Sequence, residues 1–165
     1  MEIRHTERKD LDTVMEIYAH ARKFMREHGN PNQWSAYGWP PKSLIEKDIA
    51  EKKSYVCIEE GEIAAVFFYD QGERIESTYN TIEGKWIGNE TYGVVHRIAS
   101  SGKYKGAGTF CIRWAIEQSG HLRMDTHRDN TVMQKCLEKI GFTYCGIIYI
   151  RESDDNERLA YEIIA

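Results

Sequence analysis

The segment Ser100-Ser101-Gly102-Lys103-Tyr104-Lys105-Gly106-Ala107-Gly108-Thr109 carries the chain's most specific chemistry. Gly106 and Gly108 present backbone N–H groups with no side chain in front of them, and an amphipathic run begins behind them. A helix N-terminus leaves its first N–H groups without intrahelical acceptors and carries a partial positive charge. Lys103 and Lys105 add two cations. Backbone donors, a helix terminus and ammonium groups together make a cradle for phosphate. Two other phosphate loops do not fit. A P-loop needs Gly-Lys-Ser/Thr where Ala107 stands, and a dinucleotide loop needs a third glycine where Cys111 stands. What remains is Lys103-x-x-Gly106-x-Gly108.

The elements that position this cradle alternate along the chain. Residues 2–5 read as a strand. From Asp10, Leu11, Val14, Met15, Tyr18, Ala21 and Met25 recur at helical spacing, and Gly29 marks the stop. Residues 30–41 form a loop rich in Pro, Gly and aromatics, and Ser43 caps a second helix to about Lys52. Residues 54–59 and 62–70 are strands around a Glu60-Gly61 turn. The second is apolar on both faces from Ile63 to Tyr69 and belongs inside a sheet. Residues 72–89 are irregular, and 92–99 are a strand.

The cradle opens a helix over 105–118, with Ala107, Phe110, Cys111, Trp114 and Ala115 as its apolar stripe and Gly120 as its stop. A strand over 122–126 leads to a helix capped at Asp129 or Asn130, with Met133, Cys136, Leu137 and Ile140 inward and Gly141 as its stop. Strands over 142–150 and 159–164, joined by the acidic turn Ser153-Asp154-Asp155-Asn156, end the chain. The sum is an α/β (α+β) fold: one mixed sheet with helices on both faces.

Composition narrows the setting. The chain has 165 residues, 41% hydrophobic and 29% charged, enough for one domain core. Its longest apolar run, 63–69, is far short of the roughly 18 residues of a membrane span. The formal charge is -4 with no basic block, against a nucleic-acid binder. Cys57, Cys111, Cys136 and Cys145 form no Cys-x-x-Cys pair and no zinc spacing, and the N-terminus lacks a signal-peptide core. The expectation is a cytoplasmic, metal-free single domain over 1–165 that does not bind membranes.

Lys103-x-x-Gly106-x-Gly108 resembles the Arg/Gln-x-x-Gly-x-Gly/Ala signature of the GNAT family of N-acetyltransferases, with Lys in the first place. In that family the signature follows the fourth strand and opens the third helix, the order found here. The run from Asn130 through Leu137 to Gly141-Phe142 looks like the family's second motif, and Ile3-Arg4 with Asp10-Leu11 looks like its usual opening. The resemblance covers the whole chain and implies a mostly antiparallel central sheet.

It also implies acetyl-CoA as acetyl donor and an amine acceptor, small molecule or peptide, attacking directly in a ternary complex; monomer and homodimer are both open. A binding module that holds CoA with little turnover is the alternative. The backbone amides of Ile98 and Ala99 would pair with the pantetheine arm as an added strand. The backbone amides of Lys105, Gly106, Ala107, Gly108 and Thr109 would hold the pyrophosphate, and Lys103 and Tyr104 also belong to the cofactor-binding set. Asn130, Met133 and Cys136 would line the rest of the cofactor path.

Leu137 departs from the family, since many members carry there a Tyr that protonates the leaving thiolate; Tyr144 and Cys136 are candidate substitutes. For the base, His96 comes first, on one strand face with Tyr92, Val94 and Ile98 by period two. His127 comes second, and Glu76 and Glu90 read as solvated loop residues. Gln33, Trp34, Tyr79 and Trp86 are the candidate acceptor walls, aromatic surfaces that suit a cationic amine.

Overall fold

The computed structural model of the chain describes residues 1–34, 38–150 and 155–165. Among them are the strands β1 (Glu2–His5), β2 (Ser54–Glu59), β3 (Glu62–Gly72), β4 (Glu83–Gly84), β5 (Tyr92–Ser100), β6 (His121–Thr126), β7 (Thr143–Tyr149) and β8 (Glu157–Ile164). The helices are α1 (Leu11–Glu27), α2 (Lys42–Ala50), α3 (Ala107–Ser119) and α4 (Thr131–Ile140). The strands make one sheet in the order β1-β2-β3-β5-β6-β8-β7-β4. Neighbours run antiparallel except β5 and β6, which run parallel. This is the mixed, mostly antiparallel sheet that the sequence resemblance implies. Among the described residues, no helix is long and apolar enough to cross a membrane.

Helices cover both faces of the sheet, which is why β3 is apolar on both. Val66 packs with Val14, Ile17, Tyr18, Ile45 and Ile49 of α1 and α2. Phe67, next in sequence, packs with Cys111, Ile112, Ala115 and Leu137 of α3 and α4. Full burial of such side chains contributes roughly 1.5–3 kcal/mol each. Gly120 and Gly141 close α3 and α4 in the left-handed region, at φ 67° and 118°, as their positions in the sequence suggest.

Two expectations shift. α3 begins at Ala107, not Lys105, because Gly106 takes φ 84° and cannot continue a right-handed helix backwards. The irregular stretch holds a 3₁₀ turn (Ser77–Asn80) and the short β4, which adds to the edge of β7. Ser153 and Asp154 of the acidic turn lie outside the described residues.

The most consequential departure is in β5. Val66 pairs with Ala99 and Phe68 with His96, so two steps along β3 face three along β5. The extra residue is Arg97, at φ 50°. A bulge resets the two-residue alternation. Ile98 therefore turns to the α3/α4 side and packs in the cluster that holds Val95, while Tyr92 and Val94 pack in the cluster that Phe68 joins. His96, opposite Phe68, shares that second face and is separated from Ile98, which corrects the period-two placement of both on one face.

A non-glycine residue in the left-handed region costs on the order of 1 kcal/mol or more, and α1 and α2 hold it there. The buried Tyr18 hydroxyl of α1 donates to the Arg97 carbonyl at 2.7 Å. Asp48 of α2 accepts from Arg97 Nε and a terminal guanidinium nitrogen at 2.9 and 3.1 Å. The guanidinium lies 4.5 Å from the Phe68 ring centroid. β5 parts from β6 after Val94, ahead of the bulge, since the two pair only at Gly93–Leu122 and Val94–Arg123. Tyr18→Phe is expected to lower stability by about 1 kcal/mol through loss of this hydrogen bond. Thermal melting of the variant against wild type checks this.

Candidate active site

Two cavities of about 180 and 220 Å³ open where β5 and β6 part. They share Met25, Ile98, Asn130 and Met133, so they form one path. The larger runs past Ala99, Ser100 and Gly102 toward the start of α3. The smaller ends at His96, Glu76 and Asp125, with Trp34, Trp39 and Gln33 among its walls.

The phosphate-cradle end fits the sequence reading in its backbone and not in all of its side chains. The first-turn N–H groups of α3 have no preceding turn to bond to, and at Gly106 and Gly108 the space a Cβ would take is open to 4 Å. Lys103 Nζ, however, donates to both oxygens of Glu62 at 3.0 and 2.9 Å, and the Tyr104 hydroxyl donates to Glu62 at 2.6 Å. Tyr104 and Lys103 hold the Glu62 carboxyl below its usual range, and Glu62 pushes the Tyr104 phenol up to about 12. These two side chains therefore tie the loop to β3 rather than facing the cradle. Lys105 is exposed beside it.

Along the path, Asn130 caps α4, with Oδ1 accepting from the Met133 N–H at 3.1 Å. Its Nδ2 donates to Gln33 Oε1 at 3.1 Å, and Asn30 Nδ2 donates to the same oxygen at 2.9 Å. Gln33 thus joins the loop after α1 to the start of α4. Met133 lines both cavities. Cys136 lines neither and meets Thr109 Oγ1 at 3.7 Å between α3 and α4.

At the far end, His96 Nε2 and Glu76 Oε2 are 3.2 Å apart. Burial pushes the Glu76 carboxyl up, but His96, followed by Thr78, outweighs it and holds it at about 2. An ionised carboxylate only accepts hydrogen bonds, so Nε2 carries the ring proton and Nδ1 is the basic nitrogen. Asp125 stands nearby, accepting from the Tyr79 hydroxyl at 2.6 Å. Burial raises its carboxyl, and His96 and then the Tyr79 hydroxyl partly offset that.

Several sequence-derived candidates lie elsewhere. His127 is fully buried, its Nδ1 accepting from the Asp129 N–H at 3.0 Å and its Nε2 donating to Asp155 at 2.6 Å. Both nitrogens are used to pin the loop before α4, so His127 has no free base nitrogen. Tyr144 is half exposed on β7, its ring 5.7 Å from that of Tyr161, and lines neither cavity. Tyr79 and Trp86 stand behind the cavity as support. Trp86 Nε1 donates to the Tyr79 carbonyl at 2.8 Å, and the Arg123 guanidinium lies 4.1 Å from the Trp86 ring centroid. Gln33 and Trp34 do line it.

The structure adds Glu76, Asp125, Trp39, Asn30 and Thr126 to the site. Glu76 is not the solvated loop residue expected of it. One usable signal was the polar pair Asp125-Thr126 at the end of a strand, four residues before Asn130. Nothing local marks Glu76, whose partner His96 lies 20 residues away.

Solved structures resemble the chain along its whole length. A GNAT-family acetyltransferase from Streptococcus agalactiae is 33% identical, with a TM-score of 0.86 over 99% of this chain and 95% of that one. A GNAT-family acetyltransferase from Bacillus cereus is 17% identical, with a TM-score of 0.61 over 99% and 96%. A ribosomal-protein-alanine N-acetyltransferase from Brucella melitensis is 15% identical, with a TM-score of 0.66 over 100% of both. These last two share the fold. No protein-family profile and no curated protein sequence matches the chain.

Proposed function

Because the chain belongs to the GNAT family of acetyltransferases, we propose that it moves an acetyl group from acetyl-CoA to a primary amine held in the smaller cavity, with both bound together. The observation that carries this is the path of two adjoining cavities from Ser100 and Gly102, at the loop that leads to α3, to the His96–Glu76 pair. The residues present fit acetyl-CoA. The open space at Gly106 and Gly108 and the first-turn amides suit the pyrophosphate. Ile98 and Ala99 have no β6 residue paired to them, so that edge of β5 is open to the amides of the pantetheine arm. Acetyl-CoA, when bound, supplies an acyl group activated as a thioester.

The chain's own residues do the rest. Trp34 and Trp39 stand in one cavity with the anionic Glu76, a setting that attracts an ammonium group and favours a cationic acceptor. His96 Nδ1 takes the proton that the amine must lose, and Glu76 holds the resulting imidazolium. None of the four cysteines lines either cavity, which favours direct transfer over an acyl-cysteine route. Leu137 is fully buried in the core. A thiolate is a good leaving group, so no tyrosine is needed there.

The test combines a melting series and a thiol-release assay. Acetyl-CoA at 100 times its dissociation constant should stabilise the protein by ~2.7 kcal/mol. Thiol should then be released on adding a panel of primary amines and peptides. No stabilisation would remove the cofactor reading. Stabilisation without amine-dependent thiol release would leave a CoA-binding module.

A further inference from the structure

Among the described residues, two buried side-chain oxygens have no hydrogen-bond partner: Asn30 Oδ1 and Thr126 Oγ1. An orphaned buried polar atom costs about 1–3 kcal/mol, and each such atom in a folded protein calls for a cause. Both residues lie on the path described above, Asn30 on the larger cavity and Thr126 on the smaller. Thr126 is 1% exposed and ends β6. Its side chain shares the strand face of Leu122 and Met124, which pack with Leu137. It therefore stands on the α4 side of the smaller cavity, whose walls include Met124 and Met133. Methyl and hydroxyl of a threonine exchange by one rotamer step, so a residue already on the wall can turn its hydroxyl into the cavity.

We propose that the Thr126 hydroxyl donates a hydrogen bond to the acetyl carbonyl oxygen of bound acetyl-CoA. The proposal rests on the acetyl-CoA reading above. Thr126 lines the cavity that holds His96 and is absent from the one that leads to α3, so it meets the acyl end of the cofactor and not the arm. At that end the strongest hydrogen-bond acceptor is the carbonyl oxygen. Met124 and Met133, its neighbours on this wall, have no donor to offer. A donor there also polarises the carbonyl toward the incoming amine.

The test uses Thr126→Val, which keeps the shape and removes the hydroxyl, and Thr126→Ser, which keeps it. The unliganded Val variant should melt at or above the wild-type temperature, because an unpaired buried group has been removed. With acetyl-CoA labelled by ¹³C at the carbonyl, the stretching band of the bound form should lie lower in wild type and Thr126→Ser than in Thr126→Val. Acetyl-CoA should bind the Val variant about 3- to 10-fold more weakly, with CoA affinity unchanged, and kcat should fall about 10- to 100-fold. Binding with the same band in wild type and Thr126→Val would overturn this proposal alone. Failure of wild type to bind acetyl-CoA would overturn the cofactor reading and this proposal with it.

Discussion

Gly108→Glu is expected to abolish the stabilisation by acetyl-CoA while leaving the free protein as stable as wild type or more so. The two effects have separate causes. A Cβ at Gly108 meets no atom within 4 Å, and its backbone is right-handed and helical, so a side chain fits. Glycine in a helix costs about 1 kcal/mol against better helix formers. A carboxylate in the first turn gains roughly 0.3–1 kcal/mol from the helix dipole. The same carboxylate then occupies the space a phosphate must enter. Like charges about 4 Å apart repel by about 1 kcal/mol in bulk water and about 4 kcal/mol near a protein surface, and the first-turn donors are covered. The dissociation constant should rise at least about 100-fold. Gly106→Glu would be a poorer probe, because Gly106 sits at φ 84° and any side chain there strains the start of α3. A calorimetric titration of Gly108→Glu showing wild-type affinity would remove the cradle from the cofactor site.

Much of the fold was legible because its signals are local. The apolar spacing of α1, the double-sided run of β3, and the glycines after α3 and α4 each report on their own neighbours in the chain. The strand–loop–helix turn from β5 to α3 was legible for the same reason, since a strand, two glycines and a helix start lie within ten residues of one another. The bulge was not, because a period-two count assumes regular pairing, and Arg97 breaks the count under constraints from Tyr18 and Asp48, 79 and 49 residues away. In the sequence His96 ranks ahead of His127 by its place on a strand alone, and both stay candidates. They differ in what surrounds them, one on the cavity wall against Glu76 and the other sealed between Asp129 and Asp155. Lys103 reads as a phosphate ligand until Glu62, 41 residues earlier, is seen to hold it.

Removing either partner of the His96–Glu76 pair should lower kcat without loosening the cofactor. A positioned base contributes about 10²- to 10⁴-fold, so His96→Ala is expected to cost about 100-fold or more, with acetyl-CoA affinity within about two-fold of wild type. The carboxylate cannot itself gate the rate with pH. It is held at about 2 and stays ionised throughout the working range. His96→Ala should change the shape of the pH–rate profile, because the variant lacks the nitrogen that takes the amine's proton. An unchanged pH–rate profile in that variant would retire His96 as the base.

Glu76 should show instead in stability. Its carboxyl lies at about 2 in the folded chain against 4.5 ordinarily. Between those values the unfolded chain binds more protons, so stability is complete above pH 4.5 and drains away as the pH falls toward 2. The shift corresponds to on the order of 2–3 kcal/mol, allowing for the carboxylate's partial exposure. Glu76→Gln should be less stable at neutral pH by up to that amount and lose less on acidification, measured by urea unfolding from neutral pH to pH 3. An acid dependence identical to wild type would mean that the carboxylate is not held by His96, and the pair would lose its claim to the chemistry.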